Sequence, residues 1–386
     1  MCPSWLTKRS ALLVLIACIF FTSIYLIRIH ADMADFRVNY QAGGRLGAGE
    51  DLYRTGDGHF MFKYLPFSAL LYLPLSFLPL EAAKVIWYIA LVCGSIALFC
   101  LSNRIVVGEG TGSRALYVFP PLILAKFFFR EMKLGQINII VTLILLGMVW
   151  FLISTPSGQP RDTKRAGFLW GLATALKPYG LIFLPYFVVK KQWTALAAGF
   201  SAIILALLLP SSFYGFTGNL VVLRDWAATL SQSTPALLLS NDNISIVAFL
   251  MKWTGSQKLS LLLTGVTVGT LALLILLVIR SGRHVGEPVA LECALLLTLI
   301  PLVSPLGWDY TLLMSVLAVT IIVKNYNHYS GLWRAVLILN FGMIALSIYD
   351  LIGPSYYGAF MAWSILTINF LVVVGLLVAL RFKKLA

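Results

Sequence analysis

The feature that most constrains this chain is the recurrence of apolar runs too long for a soluble core. The run at 11–27 is the first, and others follow along the whole length. At 386 residues, 60% hydrophobic and 11% charged, with a mean hydropathy of +0.89, the chain reads as an all-α polytopic membrane protein. The net charge of +14 would suit nucleic acid only if the basic residues gathered on one soluble face; here they sit between apolar runs and act as a topology signal. No nucleic-acid partner is expected; membrane lipids are. Cys2, Cys18, Cys93, Cys100 and Cys293 fall mostly inside apolar runs, without metal-ligand or paired spacing, and read as small hydrophobes that fix no redox compartment. Lys8 and Arg9 precede the first run as in a signal peptide. With no small-residue cleavage site after it, the segment reads as a retained first helix.

With the N-terminus in the cytoplasm, spans are expected near 10–29, 82–103, 115–129, 136–153, 193–210, 259–280, 289–305, 308–323, 332–349 and 357–380. The region 166–189 decides the count. As one helix it would put Arg161, Lys164 and Arg165 opposite Lys190 and Lys191, against the positive-inside rule. A hairpin keeps all five inside, but its arms, 166–176 and 179–189, are each roughly 16 Å long and cannot cross a core of about 30 Å. The turn therefore lies at membrane depth, and Lys177-Pro178 supplies it, because proline moves the preceding residue out of helical geometry and removes a donor. Such backbone survives only where protein or a wet cavity covers it. The total is then about twelve segments, including short broken helices, with both termini cytoplasmic and Arg381, Lys383 and Lys384 inside. Residues 1–386 form one membrane domain with two outer loops, 30–65 and 211–258. In the outer regions Asp32, Asp35, Asp51 and Asp57 offset Arg37, Arg45, Arg54 and Lys63, a balance that suits a site for both an anion and a neutral polar group.

Several blocks carry a resemblance. Asp35-Phe36-Arg37-Val38-Asn39-Tyr40 with Ala42, then Gly49-Glu50-Asp51-Leu52-Tyr53 and Tyr64-Leu65-Pro66-Phe67, are followed by GQIN at 135–138. The order continues with GLATALKPYGLIFLPYFVVKKQW at 171–193, NDNIS at 241–245 and SPLGWDY at 304–310. In order and spacing, over about 31–315, the chain resembles glycosyltransferase family 87, the polyprenyl-phosphate-mannose-dependent mannosyltransferases of bacterial envelopes. The resemblance implies a GT-C type fold and a donor of sugar linked to polyprenyl phosphate, with mannose the sugar. It implies a site facing outward from the bacterial cytoplasmic membrane and a catalytic carboxylate in the first outer loop, matched by Asp35. A glycan or glycolipid acceptor is expected, with a lipid glycan, another polysaccharide precursor and a protein all left open.

The chemistry itself asks for a base to take the acceptor hydroxyl's proton and positive charge to receive the departing phosphate, and one base serves an inverting displacement. Asp35 is the candidate base; Asp32, one turn earlier, is the alternative. Arg37 would lower the pKa of a neighbouring carboxylate that burial raises. Arg37 and Tyr40 belong to the same block and are expected near substrate. Asp51 reads as a turn former. Lys177, an ionisable residue inside a membrane segment, is expected at the donor phosphate, against the alternatives of snorkelling or pairing with Glu292. Arg130 and Lys133 are expected to assist it. Asp309 is expected to bind sugar hydroxyls. Tyr310 stands where the family commonly has histidine, so that it keeps a hydrogen bond but carries no charge near neutrality; Trp308 and Tyr310 also suit interface anchoring. Asn241 and Asn243 either bind sugar or shape their loop. Gln136 and Asn138 either join helices or touch substrate. Gly167 and Gly171 are expected to permit tight helix packing.

No nucleotide loop appears, and no cofactor is expected, the lipid-linked sugar being a substrate. His30, His59, Asp32, Asp35 and Asp57 share a loop without a spacing that fixes metal ligands, and no required metal is expected; His284 and His328 read as interfacial. The rival reading is a lipid or solute transporter, which broken helices and intramembrane charge also suit. Against it, the chain lacks repeated halves and concentrates its polar residues in one outer loop.

Overall fold

Uniformly apolar segments satisfy their backbone groups by helix formation, and among the described residues every regular element is a helix. The computed structural model describes residues 8–108, 110, 112–153, 162–281 and 288–382, with side chains from residue 15 and without that of residue 59. Cys2, Arg161, His284, Lys383 and Lys384 lie outside the described residues, as do the side chains of Lys8, Arg9 and His59.

The order is α1 (Lys8–Ile24), extended by a π-helical turn Tyr25–Ile29, α2 (Ala34–Gly47), α3 (Pro66–Ser76), α4 (Leu80–Val107), α5 (Arg114–Leu134) and α6 (Asn138–Leu152). Next come α7 (Thr163–Leu176), α8 (Leu184–Val189), α9 (Trp193–Leu208), α10 (Ser211–Leu237), α11 (Ile246–Thr254) and α12 (Gln257–Arg280). The chain closes with α13 (Pro288–Val303), α14 (Val316–Lys324), α15 (Gly331–Leu346), α16 (Tyr349–Ile352), α17 (Pro354–Ala362) and α18 (Ile365–Phe382). Three helices, α4, α12 and α18, are long and apolar enough to cross a bilayer alone. Two further pairs pass the same test but are bent, α1 into α2 by 85° and α9 into α10 by 93°. The shorter apolar helices, such as α6 with 15 residues and α13 with 16, reach only about 24 Å, less than a core of about 30 Å. The chain is an all-α, multi-pass membrane protein. α13 is its centre: every residue from Val289 to Leu302 is buried, as in a helix surrounded by others.

Four segments differ from the sequence reading. The expected span 308–323 is a 3-10 turn, Asp309–Ser315, followed by the nine-residue α14. The expected span 357–380 is interrupted at Ser364, which takes a left-handed φ of 52° between α17 and α18. Residues 66–76, left without an element between the expected outer loop 30–65 and the expected span 82–103, form α3, opened by Pro66 in its first turn. The expected outer loop 211–258 is mostly helix, α10 kinked at Gly215 and then α11.

The hairpin at 166–189 is broken where proline requires. Lys177 is extended (φ −146°, ψ 133°), α7 stops before it, and Pro178–Phe183 continues as a 3-10 turn into α8. α7 packs closely on α9: a Cβ on Gly167 would lie 2.1 Å from the Ala195 carbonyl oxygen, and one on Gly171 2.3 Å from that of Gly199. The Ser68 hydroxyl of α3 donates to the Leu176 carbonyl at 2.8 Å, satisfying one of the groups the break leaves over.

Candidate active site

α2 begins with a strained residue. Met33 has left-handed geometry (φ 54°), and its N–H donates to the Lys133 carbonyl at 2.9 Å, fixing the start of α2 to the end of α5. α5 itself ends on Gly135 (φ 70°), where a Cβ would lie 2.6 Å from Phe36 Cβ; only glycine permits this turn and this approach. Phe36, Asn39, Ala42, Gly43 and Leu46 are buried at helical spacing, so α2 presents one face to the bundle. Asp35 stands in its first turn, where the helix dipole favours a carboxylate.

The turn after Gly135 brings in Gln136 and Asn138. Gln136 Nε2 donates to Asp35 Oδ2 at 2.7 Å, while its Oε1 accepts from Tyr64 Oη at 2.8 Å and from Lys177 Nζ at 3.2 Å. Lys177 Nζ also donates to Asn138 Oδ1 at 2.7 Å, and Asn138 Nδ2 donates to Glu131 Oε2 at 2.8 Å. Each amide has one sensible orientation, since reversal would set NH₂ against ammonium. The ammonium further lies 5.0 Å from the Tyr64 ring centroid and 5.1 Å from that of Tyr179. Asp35 and Lys177 are thus joined through one buried amide. Glu292, the alternative partner of Lys177, instead pairs with Lys190 at 2.9 Å and Arg381 at 3.1 Å.

Asp35, Lys177, Arg130 and Tyr310 share a cavity of about 420 Å³. Its roof is held by α10: Trp226 Nε1 donates to the Lys63 carbonyl at 3.2 Å, and Tyr214 Oη to that of Glu50 at 2.8 Å. Arg45 grips Asp57 with two bonds of 2.5 and 2.9 Å, bracing the loop between α2 and α3 and holding the Asp57 carboxyl below its ordinary pKa. Lys63 and Tyr64, also in that loop, line the cavity as well. Burial pushes the Lys63 pKa down while the Asp35 charge opposes it, and burial pushes the Tyr64 phenol up, so that it remains a neutral donor.

A second cavity of about 940 Å³ shares Arg130, Leu134 and Asp242 with the first and adds Lys133 and Asp309. Arg130 is the partition. Its guanidinium donates to Asp309 at 2.5 Å and Asp242 at 2.7 Å. Asp309, expected at sugar hydroxyls, therefore meets Arg130 and the Tyr310 N–H (2.8 Å) first. Lys133 is exposed and pairs at 3.4 Å with Asp32, which lines neither cavity.

Three expected site residues are absent from both linings. Arg37 is exposed and donates to the Ala31 carbonyl at 2.9 Å; Tyr40 Oη donates to the Leu78 carbonyl at 2.7 Å. Asn243 is buried with its amide fully used: Nδ2 donates to the carbonyls of Leu238 (3.1 Å) and Pro305 (2.9 Å), and Oδ1 accepts from the N–H groups of Ser245 and Gly307, both at 3.1 Å. An amide has two donors and two lone pairs, so none is left for sugar, and Asn243 shapes its loop. The sequence reading missed Ser233, gave no individual role to Lys63, Tyr64 and Asp242, although it counted the first in the outer charge balance and quoted the other two in matched blocks, and left Gln136 open. It also passed over Asn39, although its place four residues after Asp35 sets it on the same helix face. Among the described residues no three His, Cys, Asp or Glu side chains gather as a metal-ligand set.

Residues 62–305 match the model of glycosyltransferase family 87, a stretch that takes in Gln136 and Lys177 and begins after α2. One similar protein is the polyprenol-phosphate-mannose-dependent alpha-(1-2)-phosphatidylinositol pentamannoside mannosyltransferase of Mycolicibacterium smegmatis, 26% identical over 184 residues, or 45% of this chain and 42% of the relative. Another is the polyprenol-phosphate-mannose-dependent alpha-(1-2)-phosphatidylinositol mannoside mannosyltransferase of Mycobacterium tuberculosis, 27% identical over 311 residues, or 73% and 67% of the two chains. The chain thus spans less than half the length of the first relative and two thirds of the second. No solved structure matches the chain.

Proposed function

Because the chain belongs to glycosyltransferase family 87, we propose that it is a membrane mannosyltransferase, moving mannose from a polyprenyl phosphate donor to an acceptor hydroxyl. Both relatives are named for a polyprenol-phosphate-mannose donor and a phosphatidylinositol mannoside acceptor, which favours a lipid-anchored glycan as acceptor here. Asp35 takes the proton of the acceptor hydroxyl as its oxygen attacks the anomeric carbon. The C–O bond to phosphate breaks on the opposite face, and the leaving phosphate keeps the electron pair. The displacement inverts the anomeric centre in one step, and we write it without a resident cofactor or metal. Lys177, with Lys63 in the same cavity, supplies positive charge where that phosphate departs, while Arg130 is held between Asp309 and Asp242 at the cavity wall. About twelve membrane segments with cytoplasmic termini would open the cavity to the outside of a bacterial cytoplasmic membrane.

The observation that carries this reading is the Gln136 amide, which touches both Asp35 (2.7 Å) and Lys177 (3.2 Å) at the wall of one cavity. A base and a cation so joined serve the two ends of one displacement. The test is transfer by purified protein in detergent, with polyprenyl phosphate mannose and a phosphatidylinositol mannoside as probes. Asp35→Asn should keep its thermal unfolding midpoint and lose transfer by roughly 10²–10⁴-fold. Parental turnover from that variant would show that another residue is the base.

A further inference from the structure

α2 carries a second polar side chain into the Asp35 cavity. Asn39 is 1% exposed, lines the cavity, and has no hydrogen-bond partner for either Nδ2 or Oδ1 among the described residues. Ser233, on α10, lines the same cavity, and its buried Oγ is likewise without a partner. Buried polar groups are normally satisfied, because stripping them of water without replacement is unfavourable. Elsewhere at this end of the molecule the amides of Gln136, Asn138 and Asn243 are all engaged. The two orphans therefore mark a place where something other than this chain completes the hydrogen bonding.

The chemistry of the missing partner follows from the groups left over. A primary amide offers a donor and an acceptor side by side, and a hydroxyl offers one of each, so the three unpartnered atoms can be matched only by a ligand that also both donates and accepts. A phosphate accepts alone and would leave Asn39 Oδ1 empty. Adjacent hydroxyls of a pyranose do both. Their distance from the chemistry fits as well: Asn39 is one helical turn beyond Asp35, about 5–6 Å away on the same face, roughly the width of a sugar ring.

We infer that Asn39 and Ser233 form a sugar-recognition site, holding hydroxyls of the pyranose that reacts beside Asp35. This rests on the transferase reading for its place in the reaction, while sugar binding itself can be measured without turnover. The pyranose belongs either to the donor or to the acceptor, and the experiment separates them.

The full-length protein, Asn39→Leu and Ser233→Ala are purified in detergent, and the shift in unfolding midpoint is recorded with polyprenyl phosphate mannose and, separately, with a phosphatidylinositol mannoside. Initial rates against each substrate are then measured. Leucine nearly copies the shape of asparagine and removes an amide that has no partner, so the unliganded midpoint should stay level or rise; a structural role would lower it. The shift given by one ligand should vanish in Asn39→Leu, and KM for that substrate should rise at least tenfold, with a smaller rise in Ser233→Ala. Loss with the donor assigns the ring to the donor, and loss with the mannoside assigns it to the acceptor. Full shifts and unchanged KM with both, or a parental protein that neither ligand shifts, would overturn the inference. A parental protein that binds one ligand but transfers no mannose refutes the transferase reading and leaves the binding comparison to decide this one.

Discussion

Two clusters of buried charge, one at each end of the bundle, are built on opposite plans. Away from the cavities, Glu292 of α13 meets Lys190 (2.9 Å) and Arg381 (3.1 Å) directly, tying the end of α8 and the end of α18 to the central helix. At the cavity end, Lys177 reaches toward Asp35 through the amide of Gln136 and toward Glu131 through that of Asn138. Direct pairing spends the charges on each other and on holding helices together. Pairing through neutral amides holds charges in place while leaving their fields available to a ligand. The difference separates a structural cluster from the one proposed to react, although both set acidic against basic side chains in an apolar surrounding.

The comparison can be broken by mutating each cluster. Lys177→Met should reduce transfer by roughly 10²–10³-fold, the scale of losing one group that stabilises developing charge, with the unfolding midpoint little changed. Rates at saturating acceptor and varied donor check it, and a parental donor dependence would place the phosphate elsewhere. Glu292→Ala should do the reverse. Leaving the buried Arg381 and the half-buried Lys190 without their carboxylate costs roughly 3 kcal/mol of stability, seen as a lower midpoint, while kcat and KM per folded molecule stay put. Gln136→Leu should sharpen the contrast: it removes one hydrogen bond to each charge without removing either charge, and kcat should fall roughly 10- to 100-fold with the Asp35 base still present. A pH–rate profile that does not move with this substitution would argue that the amide only fills space. The smallest effect belongs to the loop brace. Asp57→Asn opens a partly buried, two-bonded pair at the surface and should cost about 1 kcal/mol. Because Arg45 lowers the Asp57 pKa below 3.8, the contribution is complete above that pH and is lost as the pH falls through the folded value; midpoints of parent and variant should converge in acid.

Much of this was legible from sequence, for identifiable reasons. Apolar runs establish a membrane helix bundle, and the break at Lys177-Pro178 is a backbone rule that no tertiary contact is needed to read. α3 and α10 escaped because a search for continuous spans passes over an 11-residue helix and a kinked helix with regularly interspersed polar residues. Within the site, Asp35 and Lys177 do line one cavity. Gln136 stayed undecided because its partners lie 101 and 41 residues away. The pairing of Arg130 with Asp309, 179 residues apart, was hidden for the same reason, and so was the closed set of bonds around Asn243. Arg37 and Tyr40 are different. At about 100° per residue they sit roughly 200° and 140° around α2 from Asp35, so helix geometry alone sets them off the cavity face, whereas Asn39 falls within about 40° of it.

The junction of Met33 and Gly135 turns α2 into a lever. Its fulcrum is the bond from Met33 to the Lys133 carbonyl and the bare contact of Gly135 with Phe36, and the carboxylate rides one residue from that pivot. A methyl group added at position 135 would act as a wedge under the short arm, swinging the far end of a 14-residue rod through several times the displacement it causes at the pivot. The seat of the Asp35 carboxylate and the slope of the helix that carries it are thus set by a residue with no chemistry of its own.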